Sequence, residues 1–372
     1  MPLRSLKNAK KSICFILPDG AFKPTGGAKV VFEYAKRFDE AGWKVAIAYC
    51  IPHGNIQRGK IYNALKALYY IFLYKVLRRF SPKKWFSLSK SVKHIILPLN
   101  PKKVSKSFLK NIDVICATAL ETSFYVDEIN ADCKKFYLIQ GFEAWGGVTE
   151  EEVFDSYKLP LHKICIAPWL LEKVQCVGEN AKLIPNGFDF TYFSLSKPIE
   201  KRNPYHICLL NHNDDDIKRV SDSVMALRIV KEQFPDLYVN MFGIPERPAD
   251  LPDWFHYYQQ PDKVTHNKIY NDSAIFIAAS STEGMALPPA EAMICGCALV
   301  CTNIGGFALY AKDGETALTF DVGDVETYVK LISYLISHDE ERIRLAKTGN
   351  EFINQFTWER AFDSFKEYVE EK

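Results

Sequence analysis

Short, uninterrupted apolar runs recur along this 372-residue sequence and restrict the fold more than any other feature. Ser12–Leu17 (SICFIL) is one such run, and the Gly/Pro-containing loop Pro18–Gly27 follows it. Ala28–Ala41 then places Val31, Tyr34, Ala35 and Phe38 at helical spacing, with Gly42 as a stop. Lys44–Tyr49 (KVAIAY) reads as the next strand. Strand, glycine loop, helix, strand is how a doubly wound α/β domain begins. Further runs at His94–Leu97, Val114–Ala117, Lys135–Ile139 and Ile164–Ala167 fit parallel strands covered on both faces.

A second set starts at His206–Leu210. It continues with a helix near Val220–Gln233, strands at Leu237–Phe242 and Ala274–Ala278, a helix from Pro288 to about Cys295, and a strand at Ala298–Cys301. Ser194–Pro204, polar and with two prolines, reads as the linker. A chain with 48% hydrophobic residues over this length suits two cores. The expected domains are 1–198, 199–352, and a C-terminal helical run, 353–372, crossing back to the first. The ten cysteines are expected to be reduced. The closest approach to a metal motif, Cys295-Gly-Cys297 with Cys301, lacks paired knuckles and a nearby histidine, so core packing is expected and no metal.

Charge is unevenly placed. Residues 1–112 hold 23 Lys and Arg against Asp19, Glu33, Asp39 and Glu40, a net +19, and the remainder balances this with −17. Such a field seeks an anionic partner. The basic insertion 51–90 contains Ile61–Phe80, long enough to span a bilayer but interrupted by Lys66, Lys75, Arg78 and Arg79. Leucines and aromatics with a basic fringe, continued by Pro82-Lys83-Lys84-Trp85, fit a helix lying in a membrane interface. An amphipathic helix packed on its own domain is the other reading. Nucleic acid is a further partner such charge could serve, but no RRM, KH or helix-turn-helix signature occurs, and none is expected. Ile13–Leu17 is too short for a signal segment. The expected location is cytoplasmic, at the inner face of the membrane.

The sharpest segment is Ser281-Thr-Glu-Gly-Met-Ala-Leu-Pro-Pro-Ala-Glu-Ala-Met293. Glu283 falls in a loop after a strand, and Glu291 about one turn into a helix. Loop amides and the helix N-terminus can hold a phosphate, and carboxylates accept hydrogen bonds from sugar hydroxyls. That pattern suits a nucleoside diphosphate sugar. Asp214-Asp-Asp216 reads as a helix cap.

Glu283 to Glu291, within E-G-x-x-L-P-x-x-E-A-M, resembles the E-x7-E motif of retaining GT-B glycosyltransferases of family 4. Three further segments resemble parts of that family: Ala292–Gly306, Asp313-Gly-Glu-Thr-Ala-Leu318 and Ile184-Pro-Asn-Gly-Phe-Asp189. The glycine pair Gly26-Gly27 also sits where the family keeps one. The resemblance implies two Rossmann-like domains facing across a cleft. It implies metal-independent, cofactor-free transfer of a sugar, with retention, from a nucleoside diphosphate sugar to a glycan or polyprenyl-linked acceptor. Glu283, with the backbone of Gly284, Met285, Ala286 and Leu287, would hold the donor sugar, Glu291 the ribose, and Gly27 the diphosphate approach. Lys218 stands at the lysine of the family's R-x4-K pair. Asn213 lies five positions before it, and Arg219 is the candidate substitute for the arginine. Thr118 replaces a frequent acceptor-side histidine. The A-T-x-x-x-T form there and Tyr137–Trp145 resemble a subgroup with bacterial rhamnosyltransferases of cell-surface glycans, which would turn Gln140 and Glu143 toward the acceptor; polar residues that cap a loop are the other reading of this pair, and Gly26 is also expected on the acceptor side. A catalytically inactive sugar-nucleotide-binding subunit is the competing expectation.

Overall fold

The computed structural model describes residues 10–18, 25–50, 86–98, 100–104, 106–109 and 111–372, together with Leu65, Leu68, Tyr69 and Phe72. Most of the basic insertion, including Pro82–Trp85, and much of the Pro18–Gly27 loop lie outside these residues. The chain divides into two compact units. One comprises Met1–Ile166, Leu170–Ile184 and Phe362–Lys372, the other Ala167–Trp169 and Pro185–Ala361.

The first unit carries a parallel sheet in the order β3-β2-β1-β4-β5-β6-β7. Its strands are β1 (Ser12–Leu17), β2 (Lys44–Tyr49), β3 (Lys93–Ile96), β4 (Val114–Ala117), β5 (Lys134–Ile139), β6 (His162–Cys165) and β7 (Ala181–Leu183). All six residues of β1 are buried, because helices cover both faces. Phe15, Phe38 and Phe365 interlock edge to face, with Phe365 supplied by the last helix, Trp358–Glu371. The helix after β1 begins at Gly26, not Ala28. Thr25 caps it by accepting from Ala28 N–H, so the glycine pair lies in the first turn, not in the loop. The run read as Ile164–Ala167 forms a strand two residues earlier. Lys163 is tolerated inside β6 because its ammonium donates to Glu179 and to the Leu159 and Leu161 carbonyls.

The second unit has the parallel order β10-β9-β8-β11-β12-β13. Its strands are β8 (His206–Asn211), β9 (Tyr238–Gly243), β10 (Phe255–Gln259), β11 (Ile275–Ala278), β12 (Ala298–Thr302) and β13 (Ala317–Phe320). Ile207, Leu209, Met241, Ile277 and Val300 form its core with helices Val220–Gln233 and Val325–Ser337. The expected pair of doubly wound sheets is present. In each, the order reverses where two neighbouring strands leave in opposite directions: between β1 and β4, and between β8 and β11. Ligands of such sheets bind beyond the strand ends at that switch point.

Two readings are corrected. Ser194–Pro204 is not a free linker. It is docked on the second unit, where Asn271 binds the Ser196 and Lys197 amides and the buried Arg202 donates to the Tyr270 and Ser273 carbonyls. The run from Asn350 is not one helix. Asp339–Ile353 ends first, and Thr357 caps a new helix by accepting from Arg360 N–H. All ten cysteines are free, with Cys295, Cys297 and Cys301 buried.

Candidate functional site

In the second unit, two loops leave the switch point. After β8, Asp214 caps the short helix Asp215–Lys218 by accepting from Ile217 N–H, as expected of the acidic triplet. Arg219 then takes a left-handed conformation at φ 47° and joins this helix to the next. After β11, the loop runs through Ser280–Glu283. Ser281 ties the two loops together, its amide donating to the Ile217 carbonyl (2.8 Å) and its hydroxyl to that of Asp216 (3.0 Å).

The tie brings Lys218 and Glu283 into contact, although 65 positions separate them. Lys218 Nζ donates to Glu283 Oε1 at 2.5 Å, and Ser280 Oγ donates to the same oxygen at 2.9 Å. The Lys218 side chain is 22% and the Glu283 side chain 14% exposed, so the pair is sheltered yet reachable. A recess beside it is lined by Lys218, Ser280, Glu283, Pro288, Pro289 and Phe307. Gly306 packs closely against Glu283. A Cβ there would stand 2.3 Å from Glu283 Cβ, so only glycine lets this backbone approach.

The helix carrying Glu291 spans Leu287–Ile294, with Ala286 as N-cap. The prolines therefore stand at the second and third helical positions, not the first. This changes the expected phosphate cradle. Of the amides that normally lack intrahelical partners, Pro288 and Pro289 have no N–H, and Ala286 N–H donates to the Gly306 carbonyl. Leu287 N–H remains, along with the loop amides of Gly284 and Met285. The Met285 and Ala286 side chains are buried, so these residues offer backbone alone. Trp169 Nε1–H and the Tyr310 hydroxyl clamp the loop through the Gly284 and Ala286 carbonyls. Glu291 is buried one turn into the helix, where Tyr270 Oη donates to it at 3.4 Å. Arg219 faces Asp222 at 2.6 Å, leaving Lys218 as the cation on Glu283.

In the first unit, the expected acceptor-side residues gather where β1, β4 and β5 end. Thr118 is buried and its hydroxyl donates to the Ile16 carbonyl at 2.7 Å, a tie between β1 and β4. Gln140 Nε2 donates to the Thr118 carbonyl, and Gln140 Oε1 is buried without a partner among the described residues. The same amide would lie 3.5 Å from a Cβ on Gly27, an ordinary contact, while Gly26 faces open space. The described residues thus impose no steric need for either glycine. Glu143 Oε2 accepts the Leu120 N–H that opens the helix Leu120–Glu128 (2.8 Å). Burial pushes this carboxyl up to about 7, against the lowering effect of that hydrogen bond.

Ser280, Gly306, Tyr270 and Trp169 were missed from sequence. Only the Gly305-Gly306 pair carried a signal, and its meaning depends on a contact 23 positions away.

Residues 196–352 match the family description "Glycosyl transferases group 1". This stretch is a glycosyl transferases group 1 domain. The domain contains β8–β13, Lys218, Glu283 and Glu291. A D-inositol 3-phosphate glycosyltransferase of Rhodococcus opacus is 27% identical over 136 residues, 36% of this chain and 29% of the relative. A phosphatidyl-myo-inositol mannosyltransferase of Mycolicibacterium smegmatis is 21% identical over 195 residues, half of each protein. These alignments span half or less of the relatives' own length. Among solved structures, Anabaena Alr3699/HepE in complex with UDP and glucose aligns with a TM-score of 0.73 at 14% identity, covering 97% of this chain and all of that one. Sucrose-phosphate synthase from Thermosynechococcus elongatus aligns at 0.75 with 15% identity, covering 97% and 99%. The fold is GT-B, with the group 1 domain as its second Rossmann-like unit.

Proposed function

We propose that the protein is a glycosyltransferase that moves a sugar from a nucleoside diphosphate donor to a hydroxyl acceptor, without metal and with retention. The observation that carries this is the Lys218–Glu283 pair at the β8/β11 switch point of the group 1 domain. The pair has the two chemistries a nucleotide sugar needs. A bound diphosphate draws Lys218 to itself, and the freed Glu283 accepts from donor-sugar hydroxyls. Glu291 takes the ribose hydroxyls, and Arg219, set free of Asp222, is the second cation for the phosphates. Gly27 lets the protein backbone approach the diphosphate, and Gly26 lies on the acceptor side. Thr118, Gln140 and Glu143 order the acceptor side.

A front-side displacement, the mechanism commonly proposed for the family the motifs resemble, is the favoured route. The acceptor oxygen bonds to the anomeric carbon as its bond to phosphate breaks, and the leaving phosphate takes the acceptor proton. Lys218 stabilises the charge that grows there, the kind of preorganised electrostatics that dominates many barriers. The test is a thermal-shift panel of UDP-glucose, GDP-mannose and dTDP-rhamnose, followed by analysis of the product anomer. One donor at a hundredfold excess over its Kd should stabilise the protein by about 2.7 kcal/mol. A response to dTDP-rhamnose would support rhamnosyl transfer in cell-surface polysaccharide synthesis. No response to any donor, or an inverted product, refutes the reading.

The acceptor is proposed to be a glycan or polyprenyl-linked oligosaccharide presented at the cytoplasmic face of an anionic membrane. Leu65, Leu68 and Phe72 are helical at one-face spacing and 62%, 62% and 52% exposed, amid the basic insertion. No helix among the described residues is long and apolar enough to cross a membrane. Vesicles rich in phosphatidylserine should sediment the protein at low salt and release it at high salt. Binding that survives Leu65→Ser with Phe72→Ser and is indifferent to salt refutes the membrane contact.

A further inference from the structure

Trp145 is half-exposed, alone in this among the described tryptophans, and neither its packing nor a hydrogen bond explains that exposure. Its indole N–H has no partner among the described residues, whereas Trp169 donates to Gly284 and Trp43 is buried against Phe38. The ring rests its edge on the backbone of Gly141, where an added Cβ would lie 3.4 Å from it. The loop that carries it is fixed. Ala144 N–H donates to the Phe142 carbonyl, Val148 N–H donates to that of Trp145, and Glu143 holds the Leu120 amide. Gly146 and Gly147 continue it at φ 64° and 94°, a path other residues rarely take. The indole is therefore displayed on a braced loop beyond the end of β5. Two polar side chains lie within five residues of it in sequence, Gln140 and Glu143. Gln140 Oε1 is buried and has no partner among the described residues, an arrangement that costs free energy unless a ligand or water fills it. Glu143 uses one carboxylate oxygen on Leu120, and its other oxygen has no partner among the described residues.

We propose that Trp145 is a stacking platform for a pyranose ring of the acceptor, and that Glu143 accepts from that ring's hydroxyls. A pyranose presents a face of C–H bonds and a rim of hydroxyls. The C–H face matches the electron-rich face of an indole, and the rim matches a carboxylate beside it. The indole N–H offers one donor at the same edge. A flat lipid or a linear polyol phosphate would satisfy only one of these two features. This narrows the acceptor to one whose reacting end is a ring sugar, and it rests on the glycosyltransferase reading for the word acceptor only. The platform itself would bind sugar whether or not transfer occurs.

The experiment is 19F NMR of the full chain labelled with 5-fluorotryptophan. The chain has six tryptophans, so five resonances serve as internal references. The Trp145 signal is assigned by its loss in Trp145→Phe. Methyl α-glucopyranoside, methyl α-mannopyranoside and methyl α-rhamnopyranoside are the probes, and glycerol is the open-chain comparator. At least one pyranoside should shift the Trp145 resonance saturably while glycerol leaves it in place. Glu143→Ala should weaken that binding about tenfold, the loss of one hydrogen bond. An unmoved Trp145 resonance, an equal response to glycerol, or an unchanged affinity in Glu143→Ala overturns the proposal. The nucleotide-sugar thermal shift is recorded on the same sample. A donor response with a silent Trp145 overturns this inference and spares the transferase reading, and the converse pattern does the opposite.

Discussion

Gly306→Ala should remove nucleotide-sugar binding while the rest of the second unit stays folded. The added methyl would lie 2.3 Å from Glu283 Cβ and 2.4 Å from the Glu283 carbonyl oxygen. Neither atom is the far end of a flexible chain, so backbone must move. Gly306 is in the short helix Gly305–Ala308, where alanine is intrinsically favoured over glycine by up to about 1 kcal/mol. Any destabilisation is therefore steric. Overpacking of this kind costs about 1–3 kcal/mol, which lowers Tm by roughly 2–4 °C per kcal/mol in a domain of this size. The larger effect is on function, because the loop pushed away carries Glu283, and its Ala286 amide is held by the Gly306 carbonyl. The measurement is donor affinity by calorimetry beside a melting curve. A variant that binds donor as tightly as the parent and melts at the same temperature would show that the loop is not held where the geometry puts it.

Lys218→Ala should lower the transfer rate by roughly 100-fold, the usual consequence of deleting one preorganised group that stabilises transition-state charge. Its cause is distinct from the first. The fold keeps its backbone, but among the described residues Glu283 retains only the Ser280 hydroxyl as partner, and under the proposed function the leaving phosphate would lose its ammonium. Stability should fall by about 1–2 kcal/mol, between the values for exposed and buried ion pairs. Lys218→Arg keeps the charge and should recover part of the rate. Glu283→Gln should reduce affinity for the sugar nucleotide far more than affinity for the free nucleoside diphosphate. If Lys218→Ala and Glu283→Gln turn over donor like the parent, the pair is structural.

The fold was readable where burial is uniform. β1, β2, β4 and β8 lie inside their sheets and announce themselves as apolar runs. β7, β10 and β13 escaped notice, and each of these closes one side of a sheet. An edge strand is solvated along one side, so Ala-Lys-Leu or Phe-His-Tyr-Tyr-Gln suffices there. The site was readable where a residue type is tied to a local pattern. The spacing of the two glutamates and the acidic cap are local patterns within about 15 residues, whereas Lys218 is expected only through the family resemblance. What spacing could not show was that Lys218 rests on Glu283, that Gly306 stands behind it, or that Pro288 and Pro289 strip donors from the helix start. Those are consequences of β8, β11 and β12 lying side by side, a property of the assembled sheet.

The resting contact between Lys218 and Glu283 carries a consequence for selectivity. An acid and a base that satisfy each other advertise little charge to passing ions. A visitor supplying only phosphate, such as free orthophosphate, could recruit the ammonium but would strand the carboxylate in a sheltered place. A free sugar would do the reverse. A molecule that brings both parts, joined at the right separation, repays the opening of the pair on each side at once, so the latch itself discriminates against the fragments of its own ligand.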